Sequence, residues 1–207
     1  MAIRTLDELK TIKKEVDESA IRKAIIDFFD AMDVDDVNKR TELAINLERI
    51  FRDLFYLAII GEASREEMIE KLISEYSQEI VASGYRPNYA HIERVCEDIV
   101  DNTLEKIDTP YMTSTERSIL IAETETNNVA NHDELEEAKA NGKTEKTWVA
   151  FHDNKTRETH RDVDGTTIPI DDMFQVGMAE LMCPCDEING YDNPEEVCNC
   201  RCHLLFQ

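Results

Sequence analysis

Apolar residues recur at steps of three and four along the first 140 residues, a spacing that places them on one face of an α-helix. One such stripe predicts a helix that ends at the aspartate-rich stretch 33–36. Its apolar face comprises Ile21, Ala24, Ile25, Phe28, Phe29 and Met32. A longer helix is predicted from Val37 to about Ile60, and its last turns, from Leu54 onward, are apolar nearly all round. We therefore expect that end of the longer helix to be deeply buried.

Helix-capping patterns support the same assignment. Thr5-Leu-Asp-Glu8 and Ser64-Arg-Glu-Glu67 both match the capping box, in which a hydroxyl and a glutamate each accept a backbone amide hydrogen of the other residue. The second box predicts a helix to about Ser83, which Gly84 would end in a left-handed conformation. Residues 1–140 as a whole are therefore predicted to form a helical region.

The pattern changes at Gly142. Runs typical of β-strands follow in Lys146–His152 and again in Thr166–Ile170. Beyond Phe174 the chain is rich in Pro, Gly, Asn, Asp and Cys and poor in apolar residues, so this segment needs a cross-link, such as a disulfide or a bound metal ion, to stay folded. Residues 141–207 are predicted to form a small α+β module whose cysteine-rich C-terminal end is held by such a cross-link. The fold class of the whole chain is therefore α+β, with a mostly helical N-terminal region.

The chain is strongly acidic, since 23 Lys and Arg stand against 45 Asp and Glu and give a net charge of −22 at pH 7. A protein that coats nucleic acid needs the opposite balance, so we expect no direct sequence-specific contact with nucleic acid. The acidic residues alternate with apolar ones, which indicates a folded acidic surface. No run of about 18 apolar residues could span a bilayer, and the first residues lack the apolar core of a signal peptide. We expect no membrane partner and a cytoplasmic place of synthesis.

Cysteine is concentrated near the C-terminus. Five of the six cysteines fall in one cluster: Cys183, Cys185, Cys198, Cys200 and Cys202. Without a secretory signal, such a cluster favours a metal site over a disulfide framework. The cysteines are spaced as Cys-x-Cys rather than the commoner Cys-x-x-Cys, so spacing leaves three interpretations open: a zinc site, reduced thiols, or disulfides formed after cell lysis. His160 and His203 are further candidate ligands, and Cys96 is expected to be a core residue.

Several catalytic motifs are missing from the chain. A zinc deaminase would need Pro-Cys-x-x-Cys, whereas Pro184-Cys185 is followed by Asp-Glu-Ile. The sequence has no His-Glu-x-x-His, no glycine-rich phosphate loop and no Gly-x-Ser-x-Gly elbow. Nothing singles out one cysteine as the nucleophile of a Cys-His pair. We therefore expect a protein that is not an enzyme.

One segment, Asp153–His160, carries an acid, the guanidinium of Arg157 and an imidazole close enough to meet. These groups could form an anion site or supply a general base. The alternative is a structural role, in which Asp153 caps a helix and Arg157 pairs locally. We favour the structural role, and for Trp148 and Phe174 we expect core packing.

A specific order of short motifs fills the C-terminal part of the chain. Lys146-Thr-Trp148 is followed by the Asp153–His160 segment, then by Asp164-Gly165 and finally by Asn199-Cys200-Arg201-Cys202. With the upstream helix motif Ile121–Asn128, these residues resemble the phage Mu F-like head morphogenesis family of minor capsid proteins over roughly residues 117–207. Two departures stand out. Glu123 stands where the family usually has Arg, and Val197-Cys198 stands where many members have His-Pro.

The resemblance implies a virion component that binds the portal or the inner capsid. We therefore expect a minor capsid protein of a tailed phage that contacts the portal protein through residues 1–140. The major capsid protein or the scaffold protein is the further expected partner, with an effect on DNA packaging or ejection. The expected location is the virion, inside the capsid near the portal, and the host cytoplasm during assembly. The alternative is a phage-delivered effector or enzyme, toxin-like or a metal-dependent hydrolase, that acts in the host. A second alternative is a stand-alone binding module that caps a host protein through its acidic helices.

Within this interpretation the cysteine cluster is expected to hold a structural zinc ion. The four expected ligands are His160, Cys185, Cys200 and Cys202, with Cys183 and Cys198 as substitutes. A zinc ion with a complete shell of protein ligands has no open position at which to activate water, which suits a protein that is not an enzyme.

Overall fold

The structure, a computed structural model, describes residues 16–32 and 34–207. The helices of the first part are α1 (Glu18–Asp30), α2 (Val37–Ile60), α3 (Arg65–Ala82), α4 (Tyr89–Glu105) and α5 (Thr115–Ala140), with a 3-10 turn at Pro110–Thr113. The C-terminal elements are β1 (Glu145–Val149), α6 (Glu158–Val163), β2 (Thr167–Pro169), β3 (Phe174–Val176), β4 (Ala179–Leu181), α7 (Pro194–Val197) and β5 (His203–Phe206). The capping box predicted at Thr5–Glu8 lies outside the described residues.

The predicted class, mostly helical with small sheets at the C-terminal end, is confirmed. The capping box at the start of α3 is confirmed as well, because Ser64 accepts the amide hydrogen of Glu67 while the Glu67 carboxylate accepts that of Ser64. Gly84 follows α3 with φ of +76°, the left-handed conformation that the sequence predicted. No helix in the described part of the chain is long and apolar enough to cross a membrane.

One compact unit takes in the described residues up to Ala31 together with Thr41–Ala122. Its core consists of apolar side chains from α1 to α4: Ile25, Phe29, Leu43, Leu47, Phe51, Leu72, Tyr76, Ile80, Ile92 and Val100. The C-terminal end of α2 is buried from Leu54 to Tyr56, as predicted, but its last two residues are only half-buried. The expectation of deep burial is therefore wrong for the final turn, where the helix ends at the exposed Gly61.

A buried cation lies in this first unit. Arg117 in α5 is almost fully buried, and its guanidinium donates hydrogen bonds to the Thr103 hydroxyl at 2.7 Å and to the Met112 carbonyl at 2.5 Å. The same group lies 4.8 Å from the centre of the Phe55 ring. Burial lowers the pKa of Arg117, because removal from water disfavours the charged form.

The second compact unit combines two separate stretches, Met32–Arg40 and Glu123–Gln207. A three-stranded antiparallel sheet has the order β2-β1-β5, and β3 pairs with β4 in a separate hairpin. The core beneath these strands is formed by Trp148, Phe174, Val176, Leu181, Val197, Leu204 and the buried cysteines, with Leu135 and Ala138 from α5. The boundary between the two compact units falls inside α5, whereas a division into domains 1–140 and 141–207 stays a prediction.

Two of the five strands were predicted, and both are shorter than the sequence suggested. The run Lys146–His152 forms a strand only to Val149, because the next amide, that of Ala150, donates to the side chain of Asp164 at 2.8 Å instead of to a neighbouring strand. The run Thr166–Ile170 supplies the three residues of β2. The expected core positions of Trp148 and Phe174 are confirmed, with ring centroids 5.3 Å apart.

Candidate metal centre

Three of the four predicted ligands meet in the core of the second unit. The side chains of His160, Cys200 and Cys202 are buried, and their ligand atoms all lie within 4.8 Å of one another. Nδ1 of His160 is 3.3 Å from Sγ of Cys202 and 3.5 Å from Sγ of Cys200. One ring nitrogen therefore faces two sulfur atoms, which is a donor set that zinc prefers.

Local structure explains how these side chains come together. His160 lies in the short helix α6, where its ring packs edge-on against Trp148 at a centroid distance of 5.6 Å. Cys200 and Cys202 flank Arg201 just before β5, and the Cys202 amide donates to Sγ of Cys200 at 3.5 Å. Asn199 has φ of +57°, a left-handed conformation that asparagine tolerates better than most residues. This turn allows the chain to present both thiols to the imidazole.

The fourth predicted ligand lies beside the group of three. Cys185 is fully buried, and its thiol donates to the Cys200 carbonyl at 3.2 Å. Burial, together with a hydrogen bond from Cys185, raises the pKa of the Cys200 thiol. The backbone at Cys185 has φ of +62°, and such left-handed strain at a side chain other than glycine is concentrated at functional sites. The full four-ligand set stays a prediction.

The two expected substitutes have different surroundings. Cys183 is buried, and Cys198 is half-buried at the end of α7 with its pKa raised by burial to about 11. Neither thiol belongs to the group formed by His160, Cys200 and Cys202. All six cysteines are free thiols in the structure, so it shows none of the disulfides that the spacing left open.

The electrostatics of the thiols fit a site that needs a cation. Burial raises the pKa of Cys200 and of Cys183, and the hydrogen bond with Cys200, together with burial, raises that of Cys202. The unliganded protein therefore keeps these thiols protonated at neutral pH. A metal ion would have to displace the protons, so its binding would weaken as the pH falls.

A carboxylate approaches the opposite side of the imidazole. Oε2 of Glu196 lies 3.3 Å from Nε2 of His160, and the Thr159 hydroxyl holds the same oxygen at 2.7 Å. Among the described residues Nε2 makes no well-aligned hydrogen bond, although this carboxylate lies close to it. A carboxylate behind a histidine is the arrangement that orients the ring when its other nitrogen binds metal.

Glycine at position 177 makes room for that carboxylate. A Cβ atom on Gly177 would lie 2.3 Å from Oε1 of Glu196, closer than any two such atoms can approach. Gly177 also has φ of +58°, at the turn between β3 and β4. A side chain at position 177 would therefore displace the Glu196 carboxylate from its present place beside His160.

Asparagine side chains of α5 hold the cysteine segments from the other direction. Nδ2 of Asn127 donates to the Cys200 and Cys202 carbonyls at 3.0 and 3.1 Å, and Asn131 donates to the Cys202 carbonyl at 3.2 Å. Asn128 donates to the Cys185 carbonyl. The sequence reasoning missed these residues. A signal was present, because three asparagines on neighbouring positions of one helix are unfavourable unless their amides have partners.

The segment Asp153–His160 does not form a shared site. The Asp153 carboxylate binds Arg201 through both oxygens, at 2.8 and 2.7 Å, while the Arg201 guanidinium stacks on Phe151. Arg157 donates to the carbonyl of Cys198, so the expectation that it pairs locally is wrong. Asp153 caps a turn rather than a helix, since it accepts the amides of the two residues before Arg157. The favoured structural role agrees with these contacts.

Comparison with known proteins gave one match. A model of the family described as phage Mu protein F like protein matches residues 66–205, a range that includes His160, Cys200 and Cys202. No curated protein and no solved structure matches the chain.

Proposed function

The chain belongs to the phage Mu protein F like family, and from this membership we propose that it is a minor head protein that binds the portal or the inner capsid during phage head assembly. The observation that carries the proposal is the extent of the match. It runs from the first turn of α3 into β5 and so spans three of the five long helices, α3 to α5, together with the C-terminal strands. The proposed location is the inside of the capsid near the portal.

The proposed role of the metal centre is structural. The donor set of His160, Cys200 and Cys202 fits zinc, and Cys185 is the neighbouring thiol that would complete four ligands. The segment that carries the last three cysteines has few apolar residues, so a bound ion would supply much of its stability. Such an ion would fix the end of the chain against α6 and α5, without a catalytic step.

The proposed partner surface lies on the helices of the first unit. Val81 at the end of α3 and Tyr89 at the start of α4 flank the same turn, and more than half of each side chain is exposed. Exposed apolar side chains are enriched at protein interfaces. The net charge of −22 over the chain favours a partner with a basic patch, because complementary charge directs association.

Copurification tests the assembly role. The protein and the portal protein of the same phage are coexpressed, and parallel coexpressions contain the major capsid protein or the scaffold protein instead. We expect the portal protein to be retained by the wild type and to be lost with the double substitution Val81→Asp and Tyr89→Asp. Met178→Asp is the matched control, since this residue is exposed in the β3–β4 hairpin of the other unit.

The outcomes separate the parts of the proposal. Retention of none of the three head proteins by the wild type would overturn the assembly role. Equal loss with Met178→Asp would overturn the assignment of the surface to the α3–α4 turn.

The metal centre is tested by elemental analysis of protein purified under reducing conditions. We expect about one zinc per chain, and finding no bound metal would overturn the structural centre.

A further inference from the structure

A single arginine far from the cysteines in sequence is connected to them through one amide. Arg40, in the first turn of α2, is completely buried. Its guanidinium donates to Asp36 at 2.5 Å, to Glu134 at 2.5 Å and to Oδ1 of Asn127 at 2.5 Å. Two of these partners are carboxylates, which balance the positive charge of Arg40. The third partner is the neutral amide oxygen of Asn127.

The other end of the same amide faces the cysteine segments. Nδ2 of Asn127 donates to the carbonyls of Cys200 and Cys202, and it lies 3.5 Å from Sγ of Cys185. One amide group therefore contacts three cysteines on two segments of the chain. These are three of the four residues proposed as metal ligands.

Arg40 determines which way this amide points. A guanidinium has only donors, so it must face the amide oxygen, and the NH2 group is then left for the two carbonyls and the sulfur. The reverse orientation would place NH2 against the guanidinium and an oxygen against two carbonyl oxygens. That arrangement loses every hydrogen bond of the amide in a site closed to water, which makes it strongly unfavourable.

We propose that Arg40 and Asn127 form a buried clamp that positions Cys185, Cys200 and Cys202 for metal binding, an inference that rests on the metal centre proposed above. Asn127 is a positioning residue, since its amide contacts ligands and not the ion. Its NH2 group contacts both cysteine segments, through the carbonyls of Cys200 and Cys202 and the sulfur of Cys185, and so fixes their spacing. Arg40 acts one step further away, by orienting that amide.

Neighbouring residues provide matched comparisons. Asn131 also donates to the Cys202 carbonyl, but its own oxygen has no partner among the described residues, so no arginine fixes its orientation. Arg117 is a similarly buried arginine in the other compact unit. Its loss should lower the stability of the protein without a change at the cysteines.

Metal affinity of the full chain tests the clamp. Zinc affinity is measured by competition with a chromophoric chelator, and the coordination of added Co²⁺ is followed by its thiolate charge-transfer absorbance. We expect Asn127→Asp, which keeps the shape and removes the donor, to weaken zinc binding by about 10- to 100-fold and to reduce the Co²⁺ thiolate absorbance. Arg40→Met should do the same, and Arg40→Lys should restore part of the affinity because it keeps a donor.

The control variant and the wild type decide between the outcomes. Arg117→Met should lower the melting temperature while zinc affinity and the Co²⁺ spectrum stay unchanged. Wild-type affinity in Asn127→Asp would overturn the clamp and leave the metal centre standing, and so would an equal loss of affinity in Arg117→Met. Failure of the wild type to bind zinc or Co²⁺ would overturn both. If Arg40→Met does not fold, Asn127→Asp and Arg40→Lys still give the comparison.

Discussion

The carboxylate of Glu196 lies 3.3 Å from Nε2 of His160, on the side of the ring opposite the cysteine thiols that face Nδ1. Both side chains are buried, so their interaction is little screened by water. The carboxylate is therefore placed to orient the imidazole when Nδ1 binds an ion. The pair extends the candidate centre beyond its sulfur ligands to a residue that the cysteine pattern does not include.

Removal of the Glu196 charge should weaken the metal centre. The variant Glu196→Gln keeps the size of the side chain but orients the imidazole less strongly, and we expect zinc affinity to fall by about 10-fold or more. Chelator competition measures the change. The control is Glu195→Gln, because Glu195 is the exposed neighbour in the same short helix α7. Equal affinities in the two variants would argue against a role of Glu196 behind His160.

A methyl group at position 177 should disturb the same carboxylate. Gly177→Ala places a Cβ where Oε1 of Glu196 lies, and it adds the cost of a left-handed backbone, about 1 kcal/mol. Gly142→Ala carries only the second cost, since Gly142 has φ of +75° with no atom near its Cβ position. We expect Gly177→Ala to have the lower melting temperature and to bind zinc more weakly. The same melting temperature and zinc affinity in the two variants would contradict the steric explanation.

Glu123 should make stability depend on pH. Burial raises the pKa of Glu123 to about 7, although Arg201 nearby acts in the opposite direction. Between pH 4.5 and 7 the folded state therefore binds more protons than the unfolded state, so this residue lowers the free energy of unfolding as the pH rises. We expect Glu123→Gln to exceed the wild type in stability by about 1–3 kcal/mol at pH 8 and by less near pH 5.

Urea unfolding at both pH values measures that difference. Glu137→Gln is the control, since Glu137 is an exposed glutamate of the same helix, and its difference from the wild type should be small at both pH values. A Glu123→Gln variant that is no more stable than the wild type at pH 8 would show that Glu123 remains well solvated or well paired when ionised.

The acidic surface should prevent the protein from binding phage DNA. With 45 acidic against 23 basic residues, close approach to DNA phosphates is repulsive, and release of counterions cannot drive binding. We expect no shift of duplex DNA in an electrophoretic assay at physiological salt, and none when the salt is lowered. Binding that strengthens at low salt would reveal a basic patch and would contradict this expectation.

Much of the fold could be predicted because its signals are local. A helix such as α4 repeats its apolar positions within a few residues, and a capping box such as Ser64–Glu67 is contained in four. The strands β3 and β4 escaped prediction because each has only three residues and, unlike β2, neither lies in a longer run of β-type residues. Their assignment depends on pairing with each other and on packing against Trp148, neither of which is visible in a local window.

The candidate metal ligands could be predicted from the sequence, whereas the residues that position those ligands could not. Clustered thiols and an imidazole indicate metal by residue type alone, and the structure brings His160, Cys200 and Cys202 together. Glu196 carries no such signal, and the neighbouring asparagines of α5 indicate that their amides have partners without showing which residues those partners are. Their roles follow from contacts with residues distant in sequence, which only the folded chain reveals.

The contacts of Arg40 also bear on the order in which the chain can fold. Its partners Asn127 and Glu134 lie 87 and 94 residues further along, so the segment Met32–Arg40 leaves the ribosome long before they are made. Contacts between residues so far apart form slowly, because a long loop must close first. We expect this unit to be completed only after synthesis reaches the last cysteines, so a product truncated before α5 would leave Arg40 with only Asp36 as a partner and exposed to chaperones and proteases.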